Sequence, residues 1–207
     1  MLHSFRGRYQ ARFREARYQQ LRAALRIDEA AGFILDLGGG PASFLSALHR
    51  QPQRVILVDR EHGLVKQAKE LVPGLKLLVA DAERLPFIDG SIAVTVCNSV
   101  IEHVQDAAAL AAEIRRVSVG YFVQTPNGRF PVEFHVPMPV PFYWWIPWRP
   151  ARRWLCHLLG GDFAYVESVR YPSAAELARY FPGAQVVRER YLGLTKSFYV
   201  IFPATPS

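Results

Sequence analysis

The sequence predicts an α/β fold: a doubly wound, mostly parallel seven-stranded sheet that ends in an antiparallel C-terminal hairpin. Three observations predict it. Short apolar runs alternate with helix-spaced apolar residues through the middle of the chain, the pattern of βαβ units around a parallel sheet. The first run ends in three glycines and the second in an aspartate. The last two runs have no helical segment between them, so they pair antiparallel. At 207 residues the chain makes one domain, 1–207, with room for a sizeable core.

The elements follow in order. Residues 1–30 read as a basic amphipathic helix, because Phe5, Tyr9, Phe13, Ala16, Leu21 and Leu25 recur at three- to four-residue steps. Phe33–Leu37 is a buried parallel strand, being apolar on both faces. Pro41 opens a helix, with Leu45 and Leu48 inward; proline is tolerated in a first turn. Val55–Asp59 is the second strand, and Leu64, Ala68 and Leu71 mark the helix after it. Leu75–Ala80 and Ile92–Cys97 are the third and fourth strands. Leu110, Ile114 and Val117 mark another helix, and Val119–Gln124 is the fifth strand. Ala184–Arg190 and Ser197–Phe202, joined through residues 191–196, form the hairpin.

Residues 126–160 break this rhythm. Seven prolines lie between 126 and 150, with Phe130, Phe134, Phe142, Tyr143, Trp144, Trp145 and Trp148 among them. Prolines at that density forbid a long regular helix. The stretch reads as a lid or substrate insertion, since long loops in compact domains are usually functional.

Composition excludes several classes. Half of the residues are hydrophobic and 21% are charged, so the chain is neither disordered nor fibrous. Its apolar runs are short and cut by proline, which argues against a transmembrane protein. No apolar run follows the first charges, which argues against a secretory signal. Cys97 and Cys156 have no metal-ligand spacing and read as reduced thiols in a cytoplasmic protein. The net charge is +7, and residues 1–27 carry +6 of it through seven arginines against one acid. That leaves the body near neutral, which disfavours a nucleic-acid groove. The basic helix either packs with a solvated arginine face or is drawn to anionic lipid or an acidic substrate.

The strongest motif is Asp36-Leu37-Gly38-Gly39-Gly40-Pro41-Ala42. A strand ends, glycines turn the chain, and a helix begins, so backbone N–H groups can approach a ligand closely. Asp59 closes the second strand 21 residues after Gly38, where an acid accepts hydrogen bonds from a ribose. Asp36 and Asp59 together predict an acidic mouth, suited to a cationic cofactor. A dinucleotide fingerprint would want glycine or alanine at the position of Ser43 and fails there.

These residues resemble the class I methyltransferases that use S-adenosylmethionine, most closely the small-molecule "type 11" family, on a Rossmann-like scaffold. The family's first motif, D-x-G-x-G-x-G, is matched by Asp36, Gly38 and Gly40. Ala42 stands in place of its third glycine, and Gly39 at a position often held by cysteine or another small residue. Asp81-Ala82-Glu83 looks like the segment after strand three, where the aspartate accepts from the adenine amino group and the next residue offers a backbone contact. Ala93 stands where the family often has aspartate. Asn98-Ser99-Val100 looks like the stretch lining the methionine end of the cofactor. The resemblance covers residues 31–128. It implies a cofactor site of Asp36, Gly38, Gly39, Gly40, Asp59, Arg60, Asp81, Ala82, Glu83, Asn98, Ser99 and Val100, with S-adenosylmethionine as cofactor and no metal.

Methyl transfer from a sulfonium needs alignment and exclusion of water, and a base only where the acceptor must lose a proton. His103, Glu133 and His135 are the candidates, flanking strands four and five; each histidine is otherwise a hydrogen-bonded loop residue. The tryptophans with Arg149, Arg152 and Arg153 suit a bilayer interface, the mouth of an apolar acceptor pocket, or a lid folded on the core. The expectation is therefore a cytoplasmic, membrane-peripheral methyltransferase acting on a small-molecule or lipid-linked acceptor. The alternatives are an RNA methyltransferase and a non-catalytic cofactor-binding module that regulates a partner.

Overall fold

The computed structural model describes residues 15, 17–40, 51–132 and 142–203. The helix expected after Pro41, the first turns of the basic helix, Glu133 and His135 lie outside them. The strands are β1 (Ile34–Leu37), β2 (Val55–Asp59), β3 (Lys76–Val79), β4 (Ile92–Asn98), β5 (Ser118–Pro126), β6 (Gln185–Tyr191) and β7 (Leu194–Phe202). They form one sheet in the order β3-β2-β1-β4-β5-β7-β6. The first five pair in parallel, and β7 runs antiparallel between β5 and β6. The order reverses between β1 and β4, and an open α/β sheet binds ligands at that point, outside the carboxyl ends of its strands.

β1 is buried at all four residues and β4 at its first six, because helices cover both faces. On one face lie α3 (Ala107–Val117) and α6 (Ala174–Tyr180), which bury Leu110, Ile114, Leu177 and the adjoining Phe181 against Leu35, Cys97, Val123 and Val200. On the other lie α1, helical through 17–25, and α2 (His62–Leu71). Tyr18, Leu21 and Leu25 of α1 pack on Ile34, Val94, Val96 and Phe122. Full burial of each such side chain contributes about 1.5–3 kcal/mol.

Helix starts are set by local chemistry. Asp106 caps α3 by accepting from the Ala108 and Ala109 N–H groups. Ser173 and Glu176 close a reciprocal capping box on α6, which satisfies donors the first turn leaves over.

Three expectations are corrected. The hairpin connection is a two-residue turn, Leu192-Gly193, and not a six-residue link. Both residues have positive φ, +50° and +81°, the geometry that matches the twist of two paired strands. Residues 126–160 are not wholly irregular. After a 3-10 turn at Tyr143–Trp145 comes α4 (Arg149–Leu158), with Pro150 in its first turn where its missing N–H costs nothing. The short helix α5 (Phe163–Ser168), capped by Asp162, follows. Finally, Arg17 is not on a solvated face; it is 8% exposed.

Candidate functional site

A cleft of about 310 Å³ opens at the carboxyl ends of the parallel strands. Its first wall is Leu37-Gly38 after β1 and Asp59-Arg60-Glu61 after β2. Its second is Ala80 to Glu83 after β3, and its third is Ser99, Val100, His103 and Val104 after β4. Tyr165 and Ser168 of α5 complete it.

Gly38 and Gly40 have φ of +68° and +52°, a region that costs an L-residue about 1–2 kcal/mol. Gly38 donates its N–H to the Val58 carbonyl at 2.7 Å. A Cβ on Gly40 would stand 3.9 Å from Asp59 Oδ2, so the turn is open toward the Asp59 carboxylate. The Asp59 and Asp81 carboxylates each accept from the N–H two residues on, Glu61 at 3.0 Å and Glu83 at 2.9 Å. One oxygen is thus spent on holding the loop, and the carboxylates face the same cleft.

The acidic loop after β3 is fastened at both ends. Glu83 Oε1 accepts from the Gln105 and Asp106 N–H groups at 2.8 and 3.1 Å. Arg116 donates to the Phe87 and Leu85 carbonyls and to Asp89 and Glu113. Hydrogen bonding to Arg116 is the main reason the Glu113 carboxyl sits below its ordinary value.

After β4, Ser99 has φ +56°. It is held there by its N–H to the Gln124 carbonyl at 2.9 Å and its hydroxyl to Gln124 Oε1 at 2.8 Å. Gln124 is buried. Backbone strain of this kind persists where surroundings over-determine it and collects at ligand sites. His103 then faces the cleft, its ring stacked on Tyr165 at 5.9 Å between centroids. Glu102 beside it turns inward, fully buried, and accepts from the Thr125 hydroxyl.

The structure thus gathers Gly38, Asp59, Arg60, Asp81, Ala82, Glu83, Ser99, Val100 and His103 in one cleft. Gly39, Gly40 and Asn98 flank its walls. Asp36 does not share the mouth with Asp59: it is 2% exposed, under the strand end and within the sheet. Asn98 Oδ1 accepts from Arg17 Nη1 at 2.9 Å. Arg17 also lies 3.6 Å from Glu189, which Lys196 approaches at 3.5 Å. Burial alone would raise the Glu189 carboxyl, but Arg17, Ser197, Tyr199 and Lys196 together hold it below its ordinary value.

Two contributions escaped the sequence reading. Tyr165 and Ser168 come from far along the chain, signalled only by the Asp162 cap. Arg17 gives no sign of burial among its fellow arginines. A larger groove of about 710 Å³ lies between α2 and β3, lined by Val65, Lys66, Lys69, Leu75 and Leu77. It has no facing acids and lies apart from the strand ends. Among the described residues no group of His, Cys, Asp and Glu could hold a metal ion, and no helix is long and apolar enough to cross a membrane.

Residues 35–123 match the model of the methyltransferase domain family. A demethylmenaquinone methyltransferase from Beutenbergia cavernae is 33% identical over 110 residues, 53% of this chain and 43% of that one. A ubiquinone/menaquinone biosynthesis C-methyltransferase from Desulfotalea psychrophila is 27% identical over 193 residues, 86% of this chain and 74% of that one. The chain spans between 26% and 46% of the length of the first curated relatives it matches. A solved S-adenosylmethionine-dependent methyltransferase from Mesorhizobium loti shares the fold, with a TM-score of 0.59 at 17% identity over 90% of this chain and 96% of that one.

Proposed function

We propose that this chain, whose residues 35–123 match the methyltransferase domain family, is a class I, S-adenosylmethionine-dependent enzyme that methylates a small, apolar, lipid-linked acceptor seated between the β4 loop and α5. The observation that carries the reading is the single cleft in which Asp59 and Asp81 face His103 and Tyr165. S-adenosylmethionine, when bound, supplies a methyl group already activated by its sulfonium charge.

The chain's own residues bind and position the reactants. Asp59 accepts from the ribose hydroxyls and Asp81 from the adenine amino group, each with the oxygen its loop leaves over. The Ala82 backbone adds a contact beside Asp81, while the Glu83 side chain braces the loop. Arg60 borders the mouth next to Asp59. Gly38 to Gly40 let the backbone come close to the methionine portion, and Asp36 braces their strand end from inside the sheet. Asn98, Ser99 and Val100 border the methyl end, where the strained Ser99 fixes the chain's path.

His103 takes the acceptor's proton at an imidazole nitrogen, in its neutral form, near physiological pH. Tyr165 stacks on it and keeps water from that side, as a closed site requires. Glu133 and His135 stay as further candidates for the base. The quinone names of two relatives support an aromatic acceptor on an apolar tail, and the protein would meet such an acceptor as a cytoplasmic, membrane-peripheral enzyme.

Calorimetric titration with S-adenosylmethionine, S-adenosylhomocysteine and NADH tests the reading. Asp59→Ala should weaken the first two by about 10–100-fold, the worth of a hydrogen bond to a charged group. Binding of NADH alone would overturn it. His103→Gln should lower kcat by roughly 10²–10⁴ with cofactor affinity unchanged.

A further inference from the structure

We propose that α4 docks flat on an anionic lipid surface through Trp154 and Leu158 together with Arg149 and Arg153. This rests on the methyl-transfer reading above and names the place where its acceptor is met.

Trp154 and Leu158 are 66% and 64% exposed. Monomers rarely leave apolar side chains of this size together in water, and such patches mark interaction sites. Helical spacing sorts the exposed face into two edges. Pro150, Trp154 and Leu158 follow at i, i+4 and i+8 along one edge. Arg149, Arg153 and His157 follow at the same spacing along the other. The opposite side carries buried Cys156, with Arg152 and Leu155 half-buried. A helix so divided sinks its apolar edge to the acyl boundary and lays its cations on phosphates.

Charge decides the occupant. Residues 142–161 hold three arginines and no acid. Arg152 is turned inward to Glu167, at 3.0 Å. Arg149 touches the same carboxylate but stays 69% exposed, and Arg153 is exposed. In a two-fold contact a second copy would bring these same arginines against themselves, whereas lipid phosphates complement them, and tryptophan favours the headgroup level.

The opposite side of α4 is bonded to the cleft wall. Arg152 donates from Nε to Glu167 Oε1 at 3.1 Å and from Nη2 to Oε2 at 3.0 Å. Glu167 sits in α5, between Tyr165 and Ser168 of the cleft wall. A bilayer on the exposed face of α4 therefore lies one helix diameter, about 10 Å, from the wall where the acceptor enters.

The test is sedimentation of the full chain with phosphatidylcholine vesicles, with and without roughly one-third phosphatidylglycerol, with tryptophan emission read alongside. Partition into the anionic vesicles should exceed that into neutral ones by at least about tenfold. Trp154→Ser with Leu158→Ser should remove most of it, and Arg149→Gln with Arg153→Gln about fivefold per charge. Both variants should keep wild-type affinity for S-adenosylhomocysteine, which shows that they fold. Absence of partition, equal partition of wild type and variants, or a solution dimer that the variants dissociate would each overturn the proposal. Failure of the wild type to bind S-adenosylhomocysteine would instead overturn the methyl-transfer reading, whatever the vesicles show.

Discussion

Gly38→Ala separates two costs that meet at one atom. The new Cβ would lie 2.5 Å from Val100 Cγ2 and 2.9 Å from Cγ1. Both methyls of a branched, rotamer-stiff side chain are in the way, so rotation about χ1 does not clear the contact. Overpacking of this kind costs about 1–3 kcal/mol. The φ of +68° adds about 1–2 kcal/mol for any residue with a Cβ. Together they predict a loss of about 2–5 kcal/mol, which lowers the melting midpoint by roughly 2–4 °C per kcal/mol in a chain of this size. Val100→Ala removes the two methyls and nothing of the backbone strain. A double-mutant cycle should therefore return a coupling of about 1–3 kcal/mol in favour of the double variant. Thermal melts of the four proteins measure it, with S-adenosylhomocysteine affinity followed in parallel. Additive costs in the cycle, or a Gly38→Ala protein as stable as the wild type, would refute the reasoning.

Arg17→Met should cost about 1–3 kcal/mol, because Asn98 loses a buried charged donor and Glu189 its neighbouring cation, and denaturant titration checks it. Acid stability follows from the same cluster. The Glu189 and Glu113 carboxyls are held below their ordinary values, so their contribution is full above the unfolded carboxyl value of about 4.3. It is lost as pH falls through the lower folded values. Melting midpoints should be flat above about pH 5 and fall below about pH 4, and Arg17→Met should make the fall shallower, because without Arg17 burial raises the Glu189 carboxyl. Ser173→Ala removes the α6 cap and should cost about 1 kcal/mol, with cofactor affinity unchanged.

The parallel strands were legible because burial on both faces turns them into apolar runs, and Asp59 and Asp81 because acids at strand ends stand out against them. The Gly38 loop was legible for the same reason. Leu192-Gly193 was not, since leucine gives no warning of a positive φ and the usual asparagine or aspartate is missing. The start of α4 was obscured by Pro150, read as a breaker although a first turn accepts it. Arg17, Tyr165 and Ser168 act through contacts across 81 residues or from a late helix, and no local pattern encodes such distances. Asp36 was misplaced because sequence cannot say which side of a strand end a carboxylate takes.

The position of β7 bears on how the chain is made. β5 is buried at seven of its nine residues, and its outer neighbour is β7, which follows every other strand in the chain. During synthesis the parallel strands β1 to β5 can assemble first, as early segments do. Until Leu194–Phe202 leave the ribosome, however, β5 is an open, apolar strand edge that invites pairing with other chains. A nascent or clipped protein stopped before residue 194 would therefore carry its cleft residues and still aggregate, so the strand that shields β5 lies outside the family match at 35–123.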